Sequence, residues 1–230
     1  MIGNSLGGFS AGEYAFVAGY GRELDSNFSI GGNLKIIYSG LYDYYSTAAA
    51  LDLAATYHNL DNGFTAAFLI KNIGSQISSY AVEKESIPFE LQLGISKRFE
   101  NVPIRLGLIA HNLNNWKLTY KKPNEKENDS PLFGEDGKKQ NKDGFMENLA
   151  RHLIVNAEIL ITENVNFRLG YNYFRRREML LEDQPGTIGL SWGVGFRISK
   201  FHLSYARSAF HQAGASNTFS VTTRLSDFVN

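Results

Sequence analysis

The chain has 230 residues and carries 23 basic and 23 acidic side chains, so its formal net charge is zero and a general electrostatic attraction to nucleic acid is not expected. It contains no cysteine, which excludes disulfides, thiolate catalysis and zinc-thiolate sites. No segment approaches the roughly 18 apolar residues of a membrane-spanning helix, whereas 13% aromatic residues and 22 glycines favour β-structure.

The N-terminal segment, residues 1–14, has neither the basic region nor the apolar region of a secretory signal peptide. We therefore expect either a cytoplasmic protein or a sequence that begins inside a longer precursor.

Alternation of apolar and polar residues with a period of two predicts eleven strands in chain order. The clearest covers 187–199, where the apolar residues from Ile188 to Ile198 alternate with small residues and one arginine. Most predicted strands run about ten to fourteen residues, which is longer than a typical soluble strand and enough for a tilted strand to cross a bilayer. The strands start near Phe9, Asn27, Ala49, Gly63, Phe89, Pro103, Arg151, Asn166, Thr187, Phe201 and Ser216.

The connections predicted between these strands alternate between tight and long. Several tight turns carry the Asp or Asn that hairpin turns prefer. Tight turns are expected at 24–26, 60–62, 101–102, 163–165 and 200, and longer loops at 40–48, 74–88, 121–150, 178–186 and 212–215. This order is typical of an outer-membrane barrel, which has short turns on the periplasmic side and long loops outside the cell.

These features predict an all-β fold: a transmembrane antiparallel β-barrel of the bacterial outer membrane, with residues 1–230 as one domain and 121–150 as a long extracellular loop. The alternative is a soluble all-β protein, such as a lipocalin-like barrel or a sandwich. It fits less well because the polar faces are rich in Gly, Ser and Asn, which suit a crowded or water-filled interior.

Eleven is an odd number of strands, whereas bacterial single-chain barrels usually have an even number. We therefore expect an odd number of strands and a signal peptide to precede this sequence. The less favoured alternative is that residues 1–6 contribute to a twelfth strand.

The most polar stretch is 121–145, which carries six lysines and six acidic residues. We interpret it either as a solvated surface loop or as a docking surface for a soluble partner, with Pro131, Leu132 and Phe133 as an apolar anchor between charged flanks. Its acidic residues lack the spacing of a helix-loop-helix calcium site.

A cluster of basic residues, Arg175, Arg176 and Arg177, follows the strand that is predicted to end near Tyr173. Guanidinium groups bind phosphate through paired N–H donors, so the cluster is a candidate contact for lipopolysaccharide phosphates. The simpler interpretation is the solvation of a strand end.

Nothing in the sequence points to catalysis, a cofactor or a metal site. The histidines at 58, 111, 152, 202 and 211 fall in separate predicted strands or strand ends, without the spacing of metal ligands. There is no G-x-S-x-G motif, and a nucleophilic serine would need a base oriented by a third group. We therefore expect a protein that is not an enzyme.

Three segments, 7–24, 31–57 and 89–99, resemble the PorQ family of the type IX secretion system of Bacteroidetes. The run YSGLYDY at 38–44, followed by ALDLAATY at 50–57, carries most of the likeness, which extends along most of the chain. PorQ-like proteins are related to FadL-like barrels, a fold of about fourteen strands with an N-terminal segment in the lumen. The resemblance therefore agrees with an odd number of strands preceding this sequence.

The resemblance implies a non-catalytic outer-membrane component of the type IX attachment complex, in which cargo is processed and joined to lipopolysaccharide. The implied partners are outer-membrane lipid, lipopolysaccharide and PorZ-, PorU- and PorV-like components, with the PorZ-like protein seated on this barrel. The alternative is a FadL-like channel for hydrophobic compounds. A kinked strand beside an apolar pocket would favour transport, whereas a plugged lumen with an exposed apolar loop tip would favour the anchoring role.

Overall fold

The computed structural model of the protein describes residues 10–80, 84–118, 143–179, 186–211, 214–223 and 228. These residues contain eleven strands and two short helices, so the predicted all-β class and strand number are confirmed. The strands are β1 (Ala11–Glu23), β2 (Phe28–Leu41), β3 (Tyr44–Asn59), β4 (Phe64–Ser78), β5 (Glu90–Arg98), β6 (Ile104–Ala110), β7 (Leu153–Leu160), β8 (Val165–Asn172), β9 (Leu190–Ile198), β10 (Phe201–His211) and β11 (Gly214–Thr223). The helices are α1 (Asp143–Arg151), between β6 and β7, and α2 (Tyr173–Met179), between β8 and β9.

The strands lie in one sheet in chain order, from β1 to β11, and each bonds to its neighbours along the chain. The chain divides into two compact units. Unit 1 is Met1–His58 with Ala66–Leu93 and holds most of β1 to β4. Unit 2 is Asn59–Thr65 with Gly94–Asn230 and holds β6 to β11 and both helices.

The connection between β2 and β3 is shorter than the sequence predicts. The loop predicted at 40–48 is wrong, because β2 continues to Leu41 and β3 starts at Tyr44. Tyr42, in the two-residue turn between them, has a left-handed backbone with φ 56°. Tight hairpin turns require this conformation, but Gly or Asn usually supplies it, so the sequence carries no recognisable signal for the turn. The loop predicted at 212–215 is also too long, because β11 begins at Gly214.

Both helices lie where the sequence predicts strand or loop. α1 occupies the end of the predicted 121–150 loop and reaches Arg151, where a strand is predicted to start. α2 begins at Tyr173, at the end of an alternating pattern that predicts extended chain. Helices of seven to nine residues are too short to show a clear period of 3.6, which explains both errors.

On β2 and β3 of unit 1 the large apolar side chains lie on the more exposed face, and polar and small side chains lie on the less exposed face. On β2, Phe28, Leu34 and Ile36 are about half exposed, at 49%, 53% and 48%. On β3, Ser46 and Asp52 are buried, at 5% and 6%. The predicted alternation is therefore confirmed on these two strands, with the polar residues on the less exposed face, as the sequence predicts.

Unit 2 also exposes large apolar side chains on one face of its strands. The cross-strand register places Leu106, Leu169 and Trp192 on one face, and all three are more than 40% exposed. The opposite face carries Glu158, whose carboxylate pairs with Arg105 at 2.8 Å and with Arg168 at 2.9 Å. We call these the apolar face and the polar face of unit 2. A protein folded in water has the reverse arrangement, with its large apolar side chains buried.

Candidate functional site

Two helices form a cap at one end of the unit 2 strands. α1 ends directly before β7 and α2 starts directly after β8, and β7 and β8 are antiparallel neighbours, so both helices lie at the same end of this strand pair. The side chain of Asn172 caps α2 by accepting a hydrogen bond from the backbone N–H of Arg175 at 2.9 Å. We call α1, α2 and residues 111–116 the helical cap.

One carboxylate, that of Glu147, ties the two helices together. Its Oε1 pairs with Arg151 Nε at 3.2 Å, within α1, and with Arg177 Nε at 3.1 Å, on α2. Its Oε2 accepts a hydrogen bond of 2.7 Å from the Tyr173 hydroxyl. Arg151, whose side chain is only 8% exposed, also pairs with Glu178 at 2.5 Å. Because both members of the central pair are largely removed from water, the loss of either would leave an uncompensated charge.

These neighbours shift the pKa of the Tyr173 phenol. Burial, the hydrogen bond to Glu147 and the negative charge of Glu147 raise the pKa of Tyr173 from 10.0 to about 12. The hydroxyl therefore stays protonated at neutral pH and continues to donate to the carboxylate.

The base of the cap is a buried pair of histidines. His152 is 1% exposed and His111 is 5% exposed, and their ring centroids lie 6.4 Å apart. The two ring nitrogens of His152 lie 2.7 Å from the carbonyl oxygen of His111 and 3.2 Å from that of Trp116. The Trp116 ring also stacks on His152 at 5.1 Å. These contacts fix the segment that follows β6 against the start of β7.

The cap exposes an aromatic pair to solvent. The Trp116 and Phe145 rings lie 5.4 Å apart, and the residues are 44% and 58% exposed. Large aromatic side chains beside charged residues are the usual anchors of protein interfaces. The arrangement can therefore hold an apolar side chain of a partner without any chemical step.

The structure places all three predicted arginines on α2, each in contact with other residues of the chain. The Arg175 guanidinium lies over the Phe210 ring at 3.9 Å, and burial lowers the pKa of Arg175. Arg176 donates to the carbonyl oxygens of Gly186 and Ile188 at 3.0 and 3.4 Å. With Arg177 paired to Glu147, all three side chains have partners within the protein, and their contact with lipopolysaccharide phosphates stays a prediction.

The predicted apolar anchor at Pro131, Leu132 and Phe133 lies outside the described residues. Sequence reasoning missed Glu147 and the pairing of His111 with His152. The one local signal for Glu147 is its spacing of four residues from Arg151, which places the two charges on one face of a helix. The histidines are 41 residues apart in the chain, and no pattern along the sequence predicts that they meet.

Unit 1 contains a second unusual feature, a residue with left-handed backbone within β4. Asn72 has a left-handed backbone, with φ 59°, in the interior of the strand. Its N–H donates to Asp52 Oδ1 at 2.9 Å and its side-chain oxygen accepts from Lys35 Nζ at 2.9 Å. Lys35 and Asp52 also form an ion pair of 2.7 Å. Strained backbone of this kind persists where surrounding contacts hold it and is found often at functional sites.

Neither described helix is long and apolar enough to cross a membrane. No family model matches the chain, and no curated protein matches it. Statements about its family therefore depend on its own residues and are made below as proposals.

Proposed function

We propose that the chain is a transmembrane β-barrel protein of the bacterial outer membrane. The observation that supports this is the distribution of side chains: apolar residues are exposed and polar residues are buried along the same strands. Burying apolar surface is the main favourable term in folding, at about 25 cal/mol per Å². A fold that leaves so much of this surface exposed gains the missing stabilisation if hydrocarbon covers it.

We propose further that the protein is a non-catalytic component of the type IX secretion attachment complex. In this role it anchors a PorZ-like partner at the cell surface, beside PorU- and PorV-like components that process cargo and attach it to lipopolysaccharide. Two observations support the proposal: the PorQ-like segments of the sequence, and the exposed Trp116–Phe145 pair on a cap held by buried charges. In this orientation the cap faces the outside of the cell, because it lies in the two long connections of unit 2.

The test is isolation of the tagged full-length protein from outer membranes, asking whether a PorZ-like protein is recovered with it. Phe145→Ser and deletion of residues 124–142 should each lower this recovery at least fivefold while the barrel stays in the membrane. Leu60→Ser is the matched control, since Leu60 is 72% exposed but lies at the tight turn after β3. Equal recovery from all four proteins, or none from the unaltered protein, would contradict the anchoring role.

A second candidate function is a FadL-like channel for hydrophobic compounds, and the left-handed backbone of Asn72 in the interior of β4 favours it. A channel predicts that Asn72→Ala, which removes the side-chain contact with Lys35, changes the uptake of a radiolabelled long-chain fatty acid while partner recovery stays constant. Anchoring alone predicts no change in uptake. The two functions are therefore separated by one variant and two measurements.

A further inference from the structure

The apolar face of unit 2 contains a single charged position. The register of β6 to β11 places Leu106, Ala157, Leu169, Trp192, Arg207 and Asn217 in one row across this face. Arg207 is the one Asp, Glu, Lys or Arg on this face among the described residues of these strands. An ionised side chain in such surroundings is costly unless it is paired.

Arg207 borders a cavity of about 850 Å³ that crosses the same six strands. Ala157, Ala209 and Ala215 line it with short side chains on the apolar face, and Asn156, Gly170 and Ser191, which the register assigns to the polar face, also border it. Leu169 and Trp192 provide apolar walls. The volume lies within the range of sites that enclose a small molecule, roughly 300 to 1,000 Å³.

The end of the cavity nearest the helical cap is formed by a segment that α2 holds in place. Residues 186–188 line the cavity, and Arg176 holds them through the carbonyl oxygens of Gly186 and Ile188. Ile188 is 1% exposed. The cavity is therefore bounded by packed structure on this side.

The guanidinium of Arg207 is held in place by polar neighbours on the same face. It donates to Asn217 Oδ1 at 3.2 Å, and the Tyr205 hydroxyl donates to the same oxygen at 2.8 Å. Tyr205 in turn packs edge-on against Trp192 at 5.7 Å. Among the described residues no carboxylate pairs with Arg207. A guanidinium has five N–H donors, so one bond to an amide leaves capacity for an anion.

We propose that this cavity binds one anionic phospholipid, with the headgroup phosphate at Arg207 and an acyl chain along the apolar walls. The inference rests on the proposed membrane location of the chain and assigns a defined lipid site to it. Charge complementarity selects the ligand. The Arg207 guanidinium on the apolar face pairs with a ligand that is apolar over most of its length and negatively charged at one end. Arg207 lies four residues before the cap-side end of β10. From this position its long side chain can extend to the membrane–water interface, where the lipid headgroups lie.

The test uses the full-length protein reconstituted in nanodiscs that contain equal amounts of phosphatidylglycerol and phosphatidylcholine, followed by native mass spectrometry of the released complex. We expect the unaltered protein to retain phosphatidylglycerol in preference to phosphatidylcholine. Arg207→Gln should reduce this preference about tenfold, the effect of losing one charge-assisted hydrogen bond. Ala215→Phe, which fills part of the cavity, should reduce the retention of both lipids.

Arg197→Gln is the matched control, because Arg197 lies on the neighbouring strand β9 but on the polar face, opposite His202 in the strand register. It should leave the lipid preference unchanged. Equal retention of the two lipids by the unaltered protein, or an equal effect of Arg207→Gln and Arg197→Gln, would overturn the lipid site while the membrane proposal stands. Failure of the unaltered protein to enter nanodiscs would overturn both.

Discussion

The Tyr173 hydroxyl makes the stability of the helical cap dependent on pH. Its pKa is raised to about 12 in the folded protein, from 10.0, first by burial and then by Glu147. A raised folded-state pKa contributes stability that is fully present below about pH 10 and is lost as the pH rises through about 12. The difference in unfolding free energy between the unaltered protein and Tyr173→Phe should therefore be constant below about pH 10 and shrink above it.

Denaturant unfolding in detergent micelles at a series of pH values measures this difference. The phenylalanine variant is the control, because it keeps the ring and removes the ionisable group. A difference that stays level through about pH 12 would show that the folded protein does not raise the pKa of Tyr173.

The cap also shows which contacts of a residue cannot be predicted from the sequence. The arginine cluster at 175–177 is recognisable because its members are adjacent. Its partners are not: Glu147 lies 30 residues before Arg177, and Phe210 lies 35 residues after Arg175. A cluster of charged residues can therefore be recognised in the sequence. The residues that pair with it cannot, because they depend on which strand ends the fold brings together.

Among the strands, β3 and β4 are packed most closely at Gly74. A Cβ added there would lie 2.0 Å from the carbonyl oxygen of Ala49 and 2.7 Å from Ala50 Cα, both of which are backbone atoms. Gly74→Ala would therefore force the two strands apart, and we expect a loss of about 3 kcal/mol or more in unfolding free energy. Gly214→Ala is the control, because a Cβ at Gly214 meets nothing within 4 Å.

The measurement is the midpoint of denaturant unfolding in detergent micelles for both variants. Gly214→Ala should change the midpoint little. If Gly74→Ala unfolds at the same concentration of denaturant as the unaltered protein, the close approach of β3 and β4 at this position is wrong.

The strands themselves were the most predictable elements. The period of two places each of them to within a few residues, apart from β3, because successive side chains of a strand point to opposite faces of the sheet. The start of β3 at Tyr44 instead of Ala49 depends on the left-handed turn at Tyr42, which tyrosine rarely makes. The helices were missed because tertiary contacts, chiefly those of Glu147, stabilise segments too short to be helical by propensity alone.

The placement of the sheet in a bilayer can be tested with the two tryptophans of the protein. Trp192 lies on the apolar face and Trp116 lies in the cap, so the membrane proposal predicts different surroundings for them. In vesicles with brominated acyl chains, the Trp116→Phe variant, which keeps Trp192, should lose most of its fluorescence. The Trp192→Phe variant, which keeps Trp116, should lose much less.

Soluble acrylamide provides the reciprocal control, since it should quench Trp116 more than Trp192. Equal quenching of the two variants by bromine would mean that the apolar face does not meet hydrocarbon. The membrane proposal would then fail, whatever partner the cap binds.

The order of the strands has a consequence for how such a protein can change over time. Because each strand bonds to its neighbours along the chain, a deleted or duplicated pair of consecutive strands leaves all the other pairings intact except at the junction. No remaining strand has to change its place in the sheet. The number of strands in the sheet can thus grow or shrink in steps of one hairpin, while the cap, which lies in the connections of unit 2, is inherited unchanged.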